Sequence, residues 1–122
     1  MRSLAIAILL TLAGACGEDR QPPPGGQPSQ AEVMFNTKCA RCHGIGGDAH
    51  GPSTDSLQPR PHNYTDPAWQ ASITDDQIKE IIVRGGHNMG KSPAMPGNPT
   101  LKTHPEVLDG LVKLIRGFGK RP

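Results

Sequence analysis

Cys39, Cys42 and His43 place two thiols three residues apart with an imidazole directly after the second, in the stretch Cys39-Ala40-Arg41-Cys42-His43. Thiols at this spacing can each add across one vinyl group of a porphyrin. The adjoining imidazole then binds the iron from one face, which is the attachment chemistry of a c-type haem. Two other uses of the same five residues are weaker. A structural zinc site takes four N or S ligands, usually with a second Cys/His pair at short spacing; beyond His43 the chain has no cysteine and only the scattered His50, His62, His87 and His104. A dithiol redox pair belongs in a βαβ setting, which the Gly- and Pro-rich flanks do not supply. One covalently bound haem c with its iron is therefore the expected cofactor.

The chain of 122 residues opens with Arg2, an apolar run from Leu4 to Ala13 and small residues leading to Cys16. This is the layout of a secretory signal, and the run is too short to span a bilayer as a mature helix. Leu12-Ala13-Gly14-Ala15-Cys16 resembles the lipobox of bacterial lipoproteins, so 1–15 is expected to be removed and Cys16 lipidated, tethering the mature chain to a membrane. A plain signal peptide that leaves Cys16 free is the alternative. Three cysteines in an exported chain fit two for haem and one for lipid, with no disulfide. Residues 16–30 are polar, Pro/Gly-rich and without an apolar face, which predicts a flexible linker with a reach of about 45 Å at full stretch.

The remaining domain, 31–122, is poor in core-forming residues, since aromatics make up only 3% of the chain. A small domain with so thin a core needs help, and a porphyrin slab would supply it. The periodicity predicts three helices. Ala31 to Ala40 delivers the cysteines, with Phe35 one turn before Cys39. Thr74-Asp75-Asp76-Gln77 reads as a capping box that opens a helix with Ile78, Ile81 and Ile82 as its buried stripe, ended by Gly85-Gly86. Pro105 opens the last helix, whose stripe is Leu108, Leu111, Val112 and Ile115, widened by Leu114 and Phe118. A shorter helix starts at Asp66-Pro67 and includes Trp69, and no segment alternates as a strand would. Gly110, costly inside a helix by about 1 kcal/mol, suggests a close crossing with the Ala31 end of the first helix, a locally weak helix being the alternative reading.

With Phe35 before the first cysteine, Gly51-Pro52 after the CxxCH and Met95-Pro96 near the last helix, the chain resembles the class I monohaem cytochromes c. The resemblance implies an all-α fold in which a C-terminal helix crosses the helix that ends at CxxCH. Segments Pro61-His62-Asn63-Tyr64-Thr65-Asp66 through Trp69 and Gly85 to Ser92 are similar to those of one bacterial group of the family, except that Arg60 stands before the proline instead of after it. The resemblance implies His43 and Met95 as axial ligands. Met89 is the alternative; it lacks a following proline. Met34, on the cysteine-bearing helix, reads better as core. His62 and His87 are loop histidines that would give bis-histidine ligation. The family pattern further implies that the Pro52 carbonyl accepts a hydrogen bond from His43 Nδ1, and makes Tyr64, Trp69 and Ser92 candidates for holding haem propionates.

A soft thioether opposite an imidazole raises the reduction potential and leaves no open position for substrate, so the expected function is electron transfer, without catalytic residues. The competing readings are a haem subunit of a redox enzyme complex, a small catalytic or sensing domain with an open iron position, and a zinc-stabilised interaction module. Once Arg2 leaves with the signal, basic and acidic residues nearly balance, so charge names no partner. Lys113, Arg116, Lys120 and Arg121 form a basic terminus that could steer docking to an acidic redox protein. There is no phosphate loop and no nucleic-acid motif. The expected partners are a redox donor and acceptor and the anchoring membrane on its periplasmic side, with the domain itself monomeric.

Overall fold

The first helix is built on a capping box that begins ahead of the expected start. In the computed structural model, which describes residues 26–121, the Ser29 hydroxyl accepts from the Glu32 amide while the Glu32 carboxylate accepts from the Ser29 amide. Two amides that a helix start leaves unpaired are thereby satisfied. One continuous helical run follows through α1 (Gln30–Met34), a π-helical turn (Phe35–Cys39) and α2 (Ala40–His43). The helix therefore extends past the expected 31–40 at both ends. Its middle turn is wider than an α-helix, with the Ala40 amide donating to the Phe35 carbonyl. The leader, Cys16 and most of the linker lie outside the described residues.

Asp66 caps α3 (Pro67–Ser72) by accepting from the Ala68 amide, and Pro67 fills a first-turn position where no amide is needed. The Thr74–Gln77 box opens α4 (Asp75–Arg84) as expected, and Gly85, at φ 80°, ends it. Its buried residues are Ile78, Ile82 and Val83, with Ile81 only half-buried, so the stripe is rotated toward Val83 relative to expectation. Pro105 opens α5 (Pro105–Phe118), which buries Val107, Leu111, Val112, Ile115 and Phe118. Leu108 and Leu114 sit half-buried at the edge of the core, and Val107 takes the place assigned to Leu108. Short 3₁₀ turns occupy Thr54–Ser56, His87–Met89 and Pro99–Thr103. Among the described residues there is no strand, in keeping with an all-α fold. None of the described helices is long and apolar enough to cross a membrane.

The crossing inferred from Gly110 is present. A Cβ built on Gly110 would lie 2.7 Å from the Ala31 Cβ, closer than two methyl carbons can approach, so α1 and α5 pack at a distance only glycine allows there. The helix penalty of that glycine, about 1 kcal/mol, is offset by the contact it permits. Beside the crossing, Phe35 and Phe118 meet with ring centroids 5.1 Å apart, both fully buried. Full burial of side chains of this size contributes about 1.5–3 kcal/mol each. Phe118 also lies against Gly47, where a Cβ would come within 2.5 Å of its ring. The loop that follows α2 is thus pressed onto the last turn of α5.

Candidate haem site

The last four carbonyls of a helix have no partner within it, and in α2 all four are satisfied by the loop that follows. The amide of Gly44 donates to Ala40, that of Ser53 to Arg41 and that of Ala49 to His43, while the Thr54 hydroxyl donates to the Cys42 carbonyl at 2.6 Å. Thr54 is buried to 2% exposure. Arg41 Nε donates to the Ser53 hydroxyl, and Gly51 runs so close to the helix end that a Cβ would lie 2.5 Å or less from the Ala40 and Arg41 carbonyl oxygens. The segment carrying Cys39, Cys42 and His43 is therefore clamped by loop 51–54. Both cysteines are half-buried and take part in no disulfide, and burial raises the pKa of the Cys39 thiol.

His43 closes α2. Burial pushes its imidazole down to about 4, so the ring is neutral at pH 7 with a lone pair available to a metal. The Tyr64 hydroxyl lies 3.2 Å from Nε2, and the two rings stack with centroids 4.6 Å apart and planes 13° from parallel. Nδ1 is buried and has no hydrogen-bond partner. The expected bond from Nδ1 to the Pro52 carbonyl is not made. Pro52 is exposed while the His43 Nδ1 is buried, so the two do not meet.

Tyr64 is buried, and burial pushes its phenol upward. Its ring also meets Trp69, with centroids 4.9 Å apart, and Phe118 at 6.4 Å. Trp69 in turn stacks on His62 at 5.8 Å. The structure thus brings Tyr64 and Trp69 to the neighbourhood of His43. His62 and His87 are exposed.

Met95 belongs to a different cluster, around the C-terminal end of α4. Its carbonyl accepts from the Gly86 amide and its amide donates to the Ser92 carbonyl. Asn98 ties the loop down by donating from its backbone to the Ile82 and Val83 carbonyls and from its side chain to Ile82. The approach is close enough that a Cβ on Gly86 would meet the Ser92 carbonyl at 2.1 Å. Ser92 is half-buried, and its hydroxyl accepts from the Ala94 amide within the same turn. Met89 lies on the 3₁₀ turn ahead of Gly90, a position with open space around it. Both methionines are half-buried, and neither is packed on the core that holds Met34.

Sequence reasoning missed Thr54 and Gln70 and read Arg116 as a docking charge. Arg116 is no free docking charge: its guanidinium bonds to Asp75, Gln70 and the Ile73 carbonyl. Arg121 lies over the Phe118 ring at 4.7 Å. Lys113 and Lys120 alone of the four basic residues are exposed without such partners. The only local hint was that Arg116 lies one position after buried Ile115, at the rim of the apolar stripe.

The cytochrome c family model matches residues 29–117, and the chain belongs to that family. Among curated proteins none matches it. The chain is thus a class I c-type cytochrome with an all-α fold, a covalently bound haem c and a haem-based electron-transfer function. The residues at the end of α2 fit such a group. Two half-buried thiols and a neutral imidazole form the donor set that attachment and axial ligation use, and the Nδ1 of that imidazole is buried without a partner.

Proposed function

We propose that the chain is an exported, lipid-anchored electron carrier in which Cys39 and Cys42 hold the haem covalently and His43 and Met95 bind its iron. The observation that carries the reading is the clamped end of α2, where both thiols and the neutral imidazole stand within one turn and every terminal carbonyl is satisfied from loop 44–54. When bound, the haem supplies a one-electron couple, and a His/Met pair biases it toward the reduced form. The protein's contribution is to fix the imidazole by stacking it on Tyr64, to exclude water with Phe35, Phe118 and Trp69, and to hold a thioether on a stapled loop. Tight backbone packing around Met95 favours it over Met89, whose turn is bordered by the open Gly90. The haem subunit of a larger oxidoreductase uses the same arrangement, with the partner chain as acceptor.

Absorption spectra with two variants test the ligand assignment. Met95→Ala retains covalent haem, loses the weak band near 695 nm that the family resemblance associates with ferric methionine ligation, and binds exogenous imidazole readily. Met89→Ala leaves all three unchanged. The opposite pattern assigns the iron to Met89, and a wild-type protein with five-coordinate, high-spin iron supports the catalytic or sensing alternative.

Lipidation of Cys16 would place the domain on the periplasmic side of a bacterial membrane, within reach of membrane-bound donors and acceptors. Cys16→Ser is expected to move the protein from the membrane to the soluble fraction without altering its spectrum. Retention of the variant in washed membranes would show that something other than lipid holds it.

A further inference from the structure

The geometry points to Gln70 and Arg116 as positioning residues of the haem site, acting on His43 through Tyr64. The inference rests on the reading of His43 as an iron ligand. Gln70 Nε2 donates to the Tyr64 carbonyl at 2.7 Å and to the Ile115 carbonyl at 2.9 Å, which uses both amide protons and fixes which way the amide faces. Its Oε1 accepts from Arg116 Nη1 at 2.8 Å. The same guanidinium reaches the Gln70 carbonyl at 2.7 Å, the Ile73 carbonyl at 2.6 Å and the Asp75 carboxylate at 2.7 Å. A planar fork with five donors can serve these directions at once, which a lysine ammonium at the end of a flexible stem does not match. Gly119 closes the other side, since a Cβ there would lie 2.6 Å from Gln70 Cγ.

Tyr64 is consequently pinned at both backbone polar groups. Its amide donates to the Gly47 carbonyl at 2.7 Å, and its carbonyl is held by Gln70. With the backbone fixed there, the ring has its place on the His43 imidazole, bounded by Trp69 and Phe118. A clasp formed from the end of α5 thus sets the environment of a ligand at the end of α2.

The haem-loaded full chain is the test material, with Arg116→Ala, Gln70→Glu, Arg116→Lys and Asp75→Asn as variants. Gln70→Glu keeps an acceptor for Arg116 and removes the donor to Tyr64. Asp75→Asn weakens the ion pair and leaves the Gln70 contacts in place. Arg116→Ala and Gln70→Glu are expected to lower the midpoint potential, because a loosened Tyr64 admits water beside the iron ligand and water favours the more highly charged oxidised state. They are also expected to speed amide exchange at Tyr64 by about tenfold. Arg116→Lys, which keeps the charge and folds if Arg116→Ala does not, gives a smaller shift in the same direction. Asp75→Asn lowers the melting temperature with the potential unchanged. Variants that melt earlier yet keep wild-type potential and Tyr64 exchange overturn the inference, as does an Asp75→Asn potential shift equal to that of Gln70→Glu. A wild-type spectrum without histidine ligation overturns the site assignment and this inference together, and is recognised before any variant is made.

Discussion

Replacing Cys39 and Cys42 together by alanine is expected to yield a chain with no haem that survives denaturation and with little cooperative structure. The first half follows from chemistry, since no other cysteine stands beside His43 to form the thioether bonds. The second follows from the size of the core. Its buried hydrophobic residues include the small Ala31, Ala40 and Ala49, and Cys39 itself packs against the cluster. A domain of this size buries a modest fraction of its surface and leans on any additional apolar body that is covalently fixed within it. Haem staining after denaturing electrophoresis and a thermal melt followed by circular dichroism check the two halves. Haem that stays attached in the double variant would remove Cys39 and Cys42 from the site.

Gly51→Ala is expected to destabilise the end of α2 strongly. Its Cβ would lie 2.4 Å from the Arg41 carbonyl oxygen, 2.5 Å from that of Ala40 and 2.6 Å from the Arg41 carbonyl carbon. These are backbone atoms at the end of α2, already held by Gly44 and Ser53, and they cannot yield without moving Cys42 and His43. A loss of about 3 kcal/mol is expected, which for a domain of this size lowers the melting temperature by roughly 15 °C. Gly117→Ala is the control. It lies inside α5 with nothing within 4 Å of its Cβ position, and the gain in helix propensity is about 0.5–1 kcal/mol. Similar melting temperatures for the two variants would mean that loop 51–54 is not clamped on the helix end.

Local chemistry was legible in the sequence because its determinants lie within a few residues of one another. CxxCH needs only its own spacing. The Thr74 box, the Asp66 cap and Pro105 act within one turn, and Gly110 announced the α1–α5 crossing because a helix tolerates glycine poorly unless something comes close. The Ser29 box obeyed the same rule but was hidden by the polar linker running into it.

What required the tertiary structure was decided by partners far along the chain. Whether Ile81 or Val83 faces inward depends on how α4 is rotated against α5 and the 99–103 turn, and a stripe with apolar residues at 78, 81, 82 and 83 allows either. The His43 environment brings together Tyr64, Trp69 and Phe118 from separate segments, and the bond expected with Pro52 is absent because the ring nitrogen is buried while Pro52 lies exposed. Arg116 read as a surface charge because nothing near it in sequence can bind it. Its partners, Gln70, Ile73 and Asp75, are 41 to 46 positions away. Spacing within a turn specified the attachment chemistry and the helix ends by itself, whereas the orientation of side chains around the imidazole was settled only when distant carbonyls and charges were buried together and each had to find a partner.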